Sequence, residues 1–278
     1  MFELFEKTSA VCSKATTNIY STSFSLGIRM IAKDYRWAIY GIYGFVRLAD
    51  EIVDTFERND KAELLEKFKT DTYEAIEKGI SLNPILYTFQ KVANKYNIGK
   101  DLIEPFFKSM EADLYKKEYN KQSYTEYIYG SAEVVGLMCL KVFCDGDENQ
   151  CLSLKAPAKA LGAAFQKVNF LRDIKSDVED RGRIYFPTLD LRQFDELTKA
   201  EIIEDVKKDF REAHEGIKHL PMSCRFGVYT SYRYYLRLLE KIERANAKEI
   251  LENRIRVANA EKMAVLAKSF FRFKFNAL

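Results

Sequence analysis

Apolar positions in "KAELLEKFKTDTYEAIEKG" fall three and four residues apart, which puts them on one stripe of an α-helix. The stretches "TKAEIIEDVKKDFREAHEGIKHL" and "YYLRLLEKIERANAKEIL" repeat that period, and no convincing run alternates apolar and polar residues as a half-buried strand does. Punctuation falls between such stretches: Gly79, "SLNP" before Pro84, "NIGKD" around Gly99, "DGDEN" around Gly146 and "RGR" around Gly182 are the expected helix breaks. The pattern predicts an all-α chain of about ten helices. Two segments depart from the one-sided stripe. "RWAIYGIYGFVRLADEIVDTF" is apolar nearly all round until Arg47, as a helix in the middle of a bundle is. "APAKALGAAFQKVNFLRDIKSDVED" carries small residues, Ala160, Gly162, Ala163 and Ala164, that let a neighbouring helix approach closely.

Both of these buried helices end in paired carboxylates. Asp50 and Asp54 lie four apart, as do Asp173 and Asp177, so each pair shares one helix face and repels by roughly a few tenths of a kcal/mol. A single pair reads equally well as solvated surface charge in a chain that is 31% charged. Two pairs, one preceded by Arg47 and the other by Asn169 and Arg172, read as a shared site for cations and anions. Carboxylates taken out of water need a compensating cation. Mg²⁺ binds hard oxygen, typically takes one or two carboxylates and completes its shell with water and phosphate. Facing aspartate pairs therefore imply a phosphorylated ligand between them, with Arg47 and Arg172 as forks for phosphate oxygens and Asn169 as a neutral ligand.

Composition removes several alternatives. The net charge is +3 and the charges are mixed along 278 residues, without the basic stripe of a nucleic-acid binder. Five cysteines form no CxxC spacing, so neither a zinc site nor a disulfide framework is indicated and a reducing cytoplasm fits. No linker or repeat divides the chain, and one continuous domain over residues 1–278 is expected. The amino terminus lacks a basic segment followed by an apolar one, and the longest uncharged stretch, Ala15 to Ile28, is short of a membrane span, so no signal peptide and no transmembrane helix are expected. The end "LAKSFFRFKFNAL" interleaves aromatics with Lys268, Arg272 and Lys274; packing as a terminal helix is expected, with peripheral contact on an anionic bilayer as the alternative. His214 and His219, on a charged helix, form no metal or triad pair, and no GxxxxGK[ST] or GxGxxG loop is present.

The chain resembles the squalene and phytoene synthases over most of its length, and most closely the bacterial phytoene synthases. "YSTSFSLGI" is similar to that family's amino-terminal Ser-x-Ser-Phe element, "YGFVRLADEIVD" to its first aspartate-rich motif, "YIYGSAEVVGLM" to its central tyrosine-containing helix and "QKVNFLRDIKSDVEDRGRIYFP" to its second aspartate-rich motif. Glu51 departs from the pattern, since many members place a second aspartate there, and its part in metal binding is left open. The resemblance implies an isoprenoid-synthase helical bundle around a central cavity. The implied reaction joins two geranylgeranyl diphosphates head to head into phytoene, for carotenoid biosynthesis, through a cyclopropylcarbinyl diphosphate. It also implies that Asp50, Asp54, Asp173 and Asp177 hold Mg²⁺, for which Mn²⁺ substitutes. Arg47, Arg172, Asn169, Ser21 and Ser23 would lie by the diphosphates, Phe24 and Gln166 in the pocket, and Tyr43, Tyr129 and Tyr185 by the allylic cation. Tyr235 and Arg256 match less closely and are not part of that set. No NADPH is expected. Farnesyl-using relatives make dehydrosqualene or squalene from the same motifs, an inactive scaffold should have lost motif carboxylates, and a head-to-tail elongase would carry DDxxD in place of "NFLRD".

Overall fold

The computed structural model describes residues 2–187 and 194–275; the last three residues of the aromatic carboxyl-terminal stretch lie outside them. The described residues form fourteen α-helices and no strand: α1 (Phe2–Tyr20), α2 (Thr22–Arg29), α3 (Lys33–Asp54), α4 (Lys61–Lys78), α5 (Pro84–Lys95), α6 (Lys100–Tyr115), α7 (Lys121–Ile128), α8 (Val134–Cys144), α9 (Glu148–Ser153), α10 (Lys155–Glu179), α11 (Glu196–His219), α12 (Met222–Arg244), α13 (Ala247–Glu252) and α14 (Asn259–Lys274). A single π-helical turn, Tyr129–Glu133, joins α7 to α8.

The expected breaks all fall between helices, and further ones that the sequence did not mark, at 55–60, 116–120 and 245–246 among them, raise the count from about ten to fourteen. Gly79 closes α4 at φ +69°, a left-handed position that favours glycine, and Asn83 caps α5 with Pro84 in its first turn. "YYLRLLEKIERANAKEIL" is not one helix, however. Asn246 accepts from the Glu249 amide and starts α13 afresh, while the Ala247 amide donates to Glu196 at 2.6 Å.

At the centre, α3 buries every residue from Ala38 to Phe45 except Tyr43, and the Phe45 ring stacks on Phe89 of α5 at 3.8 Å, with Phe106 of α6 tilted and Phe107 edge-on against it. The second buried helix, α10, packs against α8, α11, α12 and the π turn. Its small residues explain the close approach: a Cβ on Gly162 would stand 2.5 Å from the Ala132 carbonyl oxygen, and one on Gly136 would stand 2.6 Å from that of Ala158.

The continuous helical stretch Lys121–Cys144 is, by length and composition, apolar enough to cross a membrane. In the fold, 56% of its most apolar window is buried, with α6, α10 and α3 packed against it.

Candidate active site

A cavity of about 360 Å³ runs between α2, α3, α8, α10, α11 and α12. Its wall on α3 extends from Ile39 to Asp50, a run of ~16 Å at the helical rise. On α10 the wall extends from Pro157 to Asn169. Both helices deliver their carboxyl-terminal ends to the same polar mouth, where Arg47, Asp50, Gln166 and Asn169 border the cavity. Away from those polar groups the lining is mostly apolar and includes Ile31, Phe143, Leu154 and Leu220. Helix carboxyl termini carry partial negative charge, so the mouth favours a cation even before its side chains are counted.

Ion pairs join the two aspartate faces. Arg47 reaches both Asp50 and Glu51 along α3. Asp54 pairs with Arg183 at 2.6 Å and with Arg181 at 3.3 Å, and Arg181 also holds Asp177 at 2.9 Å, so one guanidinium ties α3 to α10. Asp173 accepts from Arg172 at 2.9 Å and pairs with Arg254 at 2.7 Å. Burial pushes the Asp177 carboxyl up to about 7, with Asp173 and Asp54 adding to the rise and Arg181 opposing it. Asp50 is raised for the same reasons, burial first and then Asp54. These are carboxylates that cost free energy to keep charged, even with arginines beside them.

Behind the mouth lies a fully buried node. Asp113 of α6 accepts from Tyr127 at 2.7 Å and Tyr185 at 3.0 Å, and stands 3.5 Å from Arg183. Burial, opposed by Arg183, pushes its carboxyl up to about 7.

Of the residues expected from sequence, Phe24, Tyr43, Arg47, Asp50, Gln166 and Asn169 border the cavity. Asp54, Arg172, Asp173 and Asp177 do not; the ion pairs gather them at its rim. Ser21 caps α2 by accepting from the Phe24 amide at 3.2 Å, and Ser23 sits half-buried in the first turn of that helix. Burial raises the Tyr43 hydroxyl to about 12, so it stays protonated. Tyr185 is held in the Asp113 node, off the cavity wall. Tyr129 is not brought to the cavity: its ring faces Lys159, 5.2 Å away, while Tyr127, two residues earlier, lines the wall. The π turn begins at Tyr129 and adds a residue to that turn, so the faces before and after it do not continue one stripe.

Sequence reasoning missed Tyr127, Asp113, Arg181, Arg183 and Arg254. Arg181 and Arg183 stood in the quoted "RGR", read only as a helix break. Arg254, not Arg256, reaches Asp173. Tyr235 does approach the site: its hydroxyl donates to Asn169 at 3.3 Å, its ring stacks on Phe165 at 4.0 Å, and Phe24 lies 5.6 Å away.

No three His, Cys, Asp or Glu side chains among the described residues converge on one point as a ready-made metal cage. The donor set still fits Mg²⁺, which takes one or two carboxylates and leaves the other positions to water and phosphate. The Arg47 Nε is buried without a hydrogen-bond partner, which fits an anionic ligand at the same mouth.

The chain matches the squalene/phytoene synthase family profile over residues 17–261. It is 29% identical to a phytoene synthase of Arthrospira platensis across 92% of this chain and 90% of that one. It is 27% identical to a chloroplastic phytoene synthase 2 of Solanum lycopersicum, across 97% and 91%. Among solved structures, a ligand-bound dehydrosqualene synthase aligns with a TM-score of 0.83 at 21% identity, covering 98% and 99% of the two chains. A squalene synthase from Alicyclobacillus acidocaldarius aligns at 0.74 and 20% identity, covering 86% and 94%. At those identities the structures speak for the fold, the isoprenoid-synthase helical bundle.

Proposed function

The chain belongs to the squalene/phytoene synthase family, and from that premise we propose that it joins two geranylgeranyl diphosphates head to head into phytoene, as one domain and without a reductant. The observation that carries this reading is that two aspartate faces, joined by ion pairs, meet at the polar border of a long apolar cavity. A diphosphate belongs at the mouth and an isoprenoid chain in the cavity.

Arg47 and Arg172 supply planar forks for diphosphate oxygens, with Arg254 beside Asp173 as a third. Asp50, Asp54, Asp173 and Asp177 are the residues that would hold Mg²⁺ or Mn²⁺, which when bound supplies Lewis-acid stabilisation of the departing diphosphate. Departure leaves an allylic cation facing Phe24, Phe165 and Tyr43, whose ring faces attract positive charge without adding to it. Tyr43 remains a phenol at neutral pH, so no phenolate captures the cation. The cavity wall keeps water away while the cyclopropylcarbinyl diphosphate forms and rearranges. One proton is lost as the cyclopropane closes, the second diphosphate leaves as that intermediate ionises and rearranges, and loss of a second proton sets the central double bond.

The test is the product made by the purified protein with Mg²⁺ from geranylgeranyl and from farnesyl diphosphate, each with and without NADPH. Phytoene from the longer substrate, unchanged by NADPH, is the expected result. A product two mass units heavier with NADPH overturns the reductant-free reading, and activity confined to farnesyl diphosphate moves the assignment to dehydrosqualene synthesis.

A further inference from the structure

Helix α14 is poorly covered for its composition. Within "NAEKMAVLAKSFFRFK" only Ser269 is buried, and α12 is the main helix beneath it, where Phe226 meets Phe270 and Phe273. Met263, Phe270, Phe271 and Phe275 stay exposed, the last at 73%. Lys268, Arg272 and Lys274 are exposed among them. The one acid of the helix, Glu261, is engaged at 2.9 Å by both Arg237 and Lys241 of α12, so the outward charge is positive.

Lys262 donates to Thr22, which ties the start of α14 to the junction of α1 and α2. There Ile19 and Tyr20 are exposed, and the Tyr20 ring lies 4.2 Å from the Arg47 guanidinium.

We propose that α14, with the end of α1, is a docking surface for a bilayer carrying anionic headgroups. Phenylalanines on an exposed helix face enter the boundary between headgroup and acyl chain, and flanking lysines and arginines extend their charges to lipid phosphates. Charge selects this occupant over a second copy of the chain. A two-fold dimer through the same face would set Lys268, Arg272 and Lys274 against themselves. The inference goes beyond the proposed reaction and stands without it.

Vesicle co-sedimentation with the whole chain tests it, and needs no substrate. The protein is expected to pellet with vesicles of phosphatidylcholine mixed with phosphatidylglycerol, to remain soluble with phosphatidylcholine alone, and to be released by high salt. The triple variant Lys268→Glu/Arg272→Glu/Lys274→Glu should partition at least about tenfold more weakly, since each basic residue near an anionic surface contributes severalfold. Phe271→Ser/Phe275→Ser should weaken binding as well, with helix content and unfolding midpoint checked in both variants. As a measurement free of folding defects, a tryptophan placed by Phe271→Trp should shift its emission to the blue on adding anionic vesicles. Absence of wild-type binding to anionic vesicles, equal binding by both variants, or an unshifted tryptophan overturns the proposal. So does a concentration-dependent dimer that Phe271→Ser/Phe275→Ser abolishes while no form pellets with lipid.

Discussion

Asp113 sits on α6 in "SMEADLYKKEY", where nothing in spacing or neighbours marks it, and it becomes visible only when Tyr127, Tyr185 and Arg183 arrive from other elements. The aspartate pairs were legible because four-residue spacing on one helix is written in the sequence; a carboxylate whose partners are 14, 70 and 72 positions away is not. Its environment makes a testable pH dependence. The folded carboxyl keeps its proton to about pH 7, whereas in the unfolded chain it ionises near its ordinary value of about 4. Between those values the native state holds a proton the unfolded chain has lost, so this residue's contribution is fully present below about pH 4 and declines as pH rises through 7. The difference is on the order of 2–4 kcal/mol across the window. Asp113→Asn should flatten that part of the stability profile, measured as urea midpoints from pH 4 to 8. Parallel profiles for the variant and the wild-type chain would remove Asp113 as a titrating node.

At the scale of elements, the helices and their breaks were legible because periodicity and caps are local properties. Gly79, Asn83 and Gly99 end or start helices as expected. What local pattern could not carry was rotation about an axis. The π turn at Tyr129–Glu133 puts Tyr127 on the cavity wall and Tyr129 against Lys159, although "YIYGSAEVVGLM" reads as an unbroken helix. The crossing just beyond it depends on missing side chains: Gly136 and Gly162 each face a backbone carbonyl of the other helical segment closer than any Cβ tolerates. Backbone cannot swing aside as a flexible side chain does, so Gly162→Ala must push α10 away from the π turn. We expect a loss of about 1–3 kcal/mol, the range for overpacking a filled interior, read as a lower urea midpoint at unchanged slope. Because Gly136 and Gly162 also line the cavity, the displaced helices should weaken retention of the longer isoprenoid substrate first. An unchanged midpoint would mean that the approach is looser than the geometry requires.

Over the whole molecule, the mouth is crossed by ion pairs whose charges the proposed substrate would claim. Arg181 links Asp54 at the end of α3 to Asp177 near the end of α10, and Arg254, from the segment before α14, crosses to Asp173. Those arginines lower the cost of the carboxylates only in part, since Asp177 still stands near 7 and Asp50 is raised. A diphosphate alone would draw the arginine forks away and leave the aspartates facing one another and the anion. A divalent cation alone would meet carboxylates already engaged by guanidinium. Supplied together, each satisfies the groups the other displaces, so their stabilising effects should be strongly cooperative. Mg²⁺ with inorganic diphosphate, at about a hundred times the joint dissociation constant, should add ~2.7 kcal/mol to stability. For a chain of this size that is a rise of roughly 5–10 °C in Tm by calorimetry. Mg²⁺ or diphosphate singly should give only a small part of it, EDTA should erase the joint effect, and Asp177→Asn should reduce it while leaving the protein folded. Equal shifts from diphosphate with and without the metal would show that the arginines alone bind the anion and that the aspartate pairs serve some other purpose.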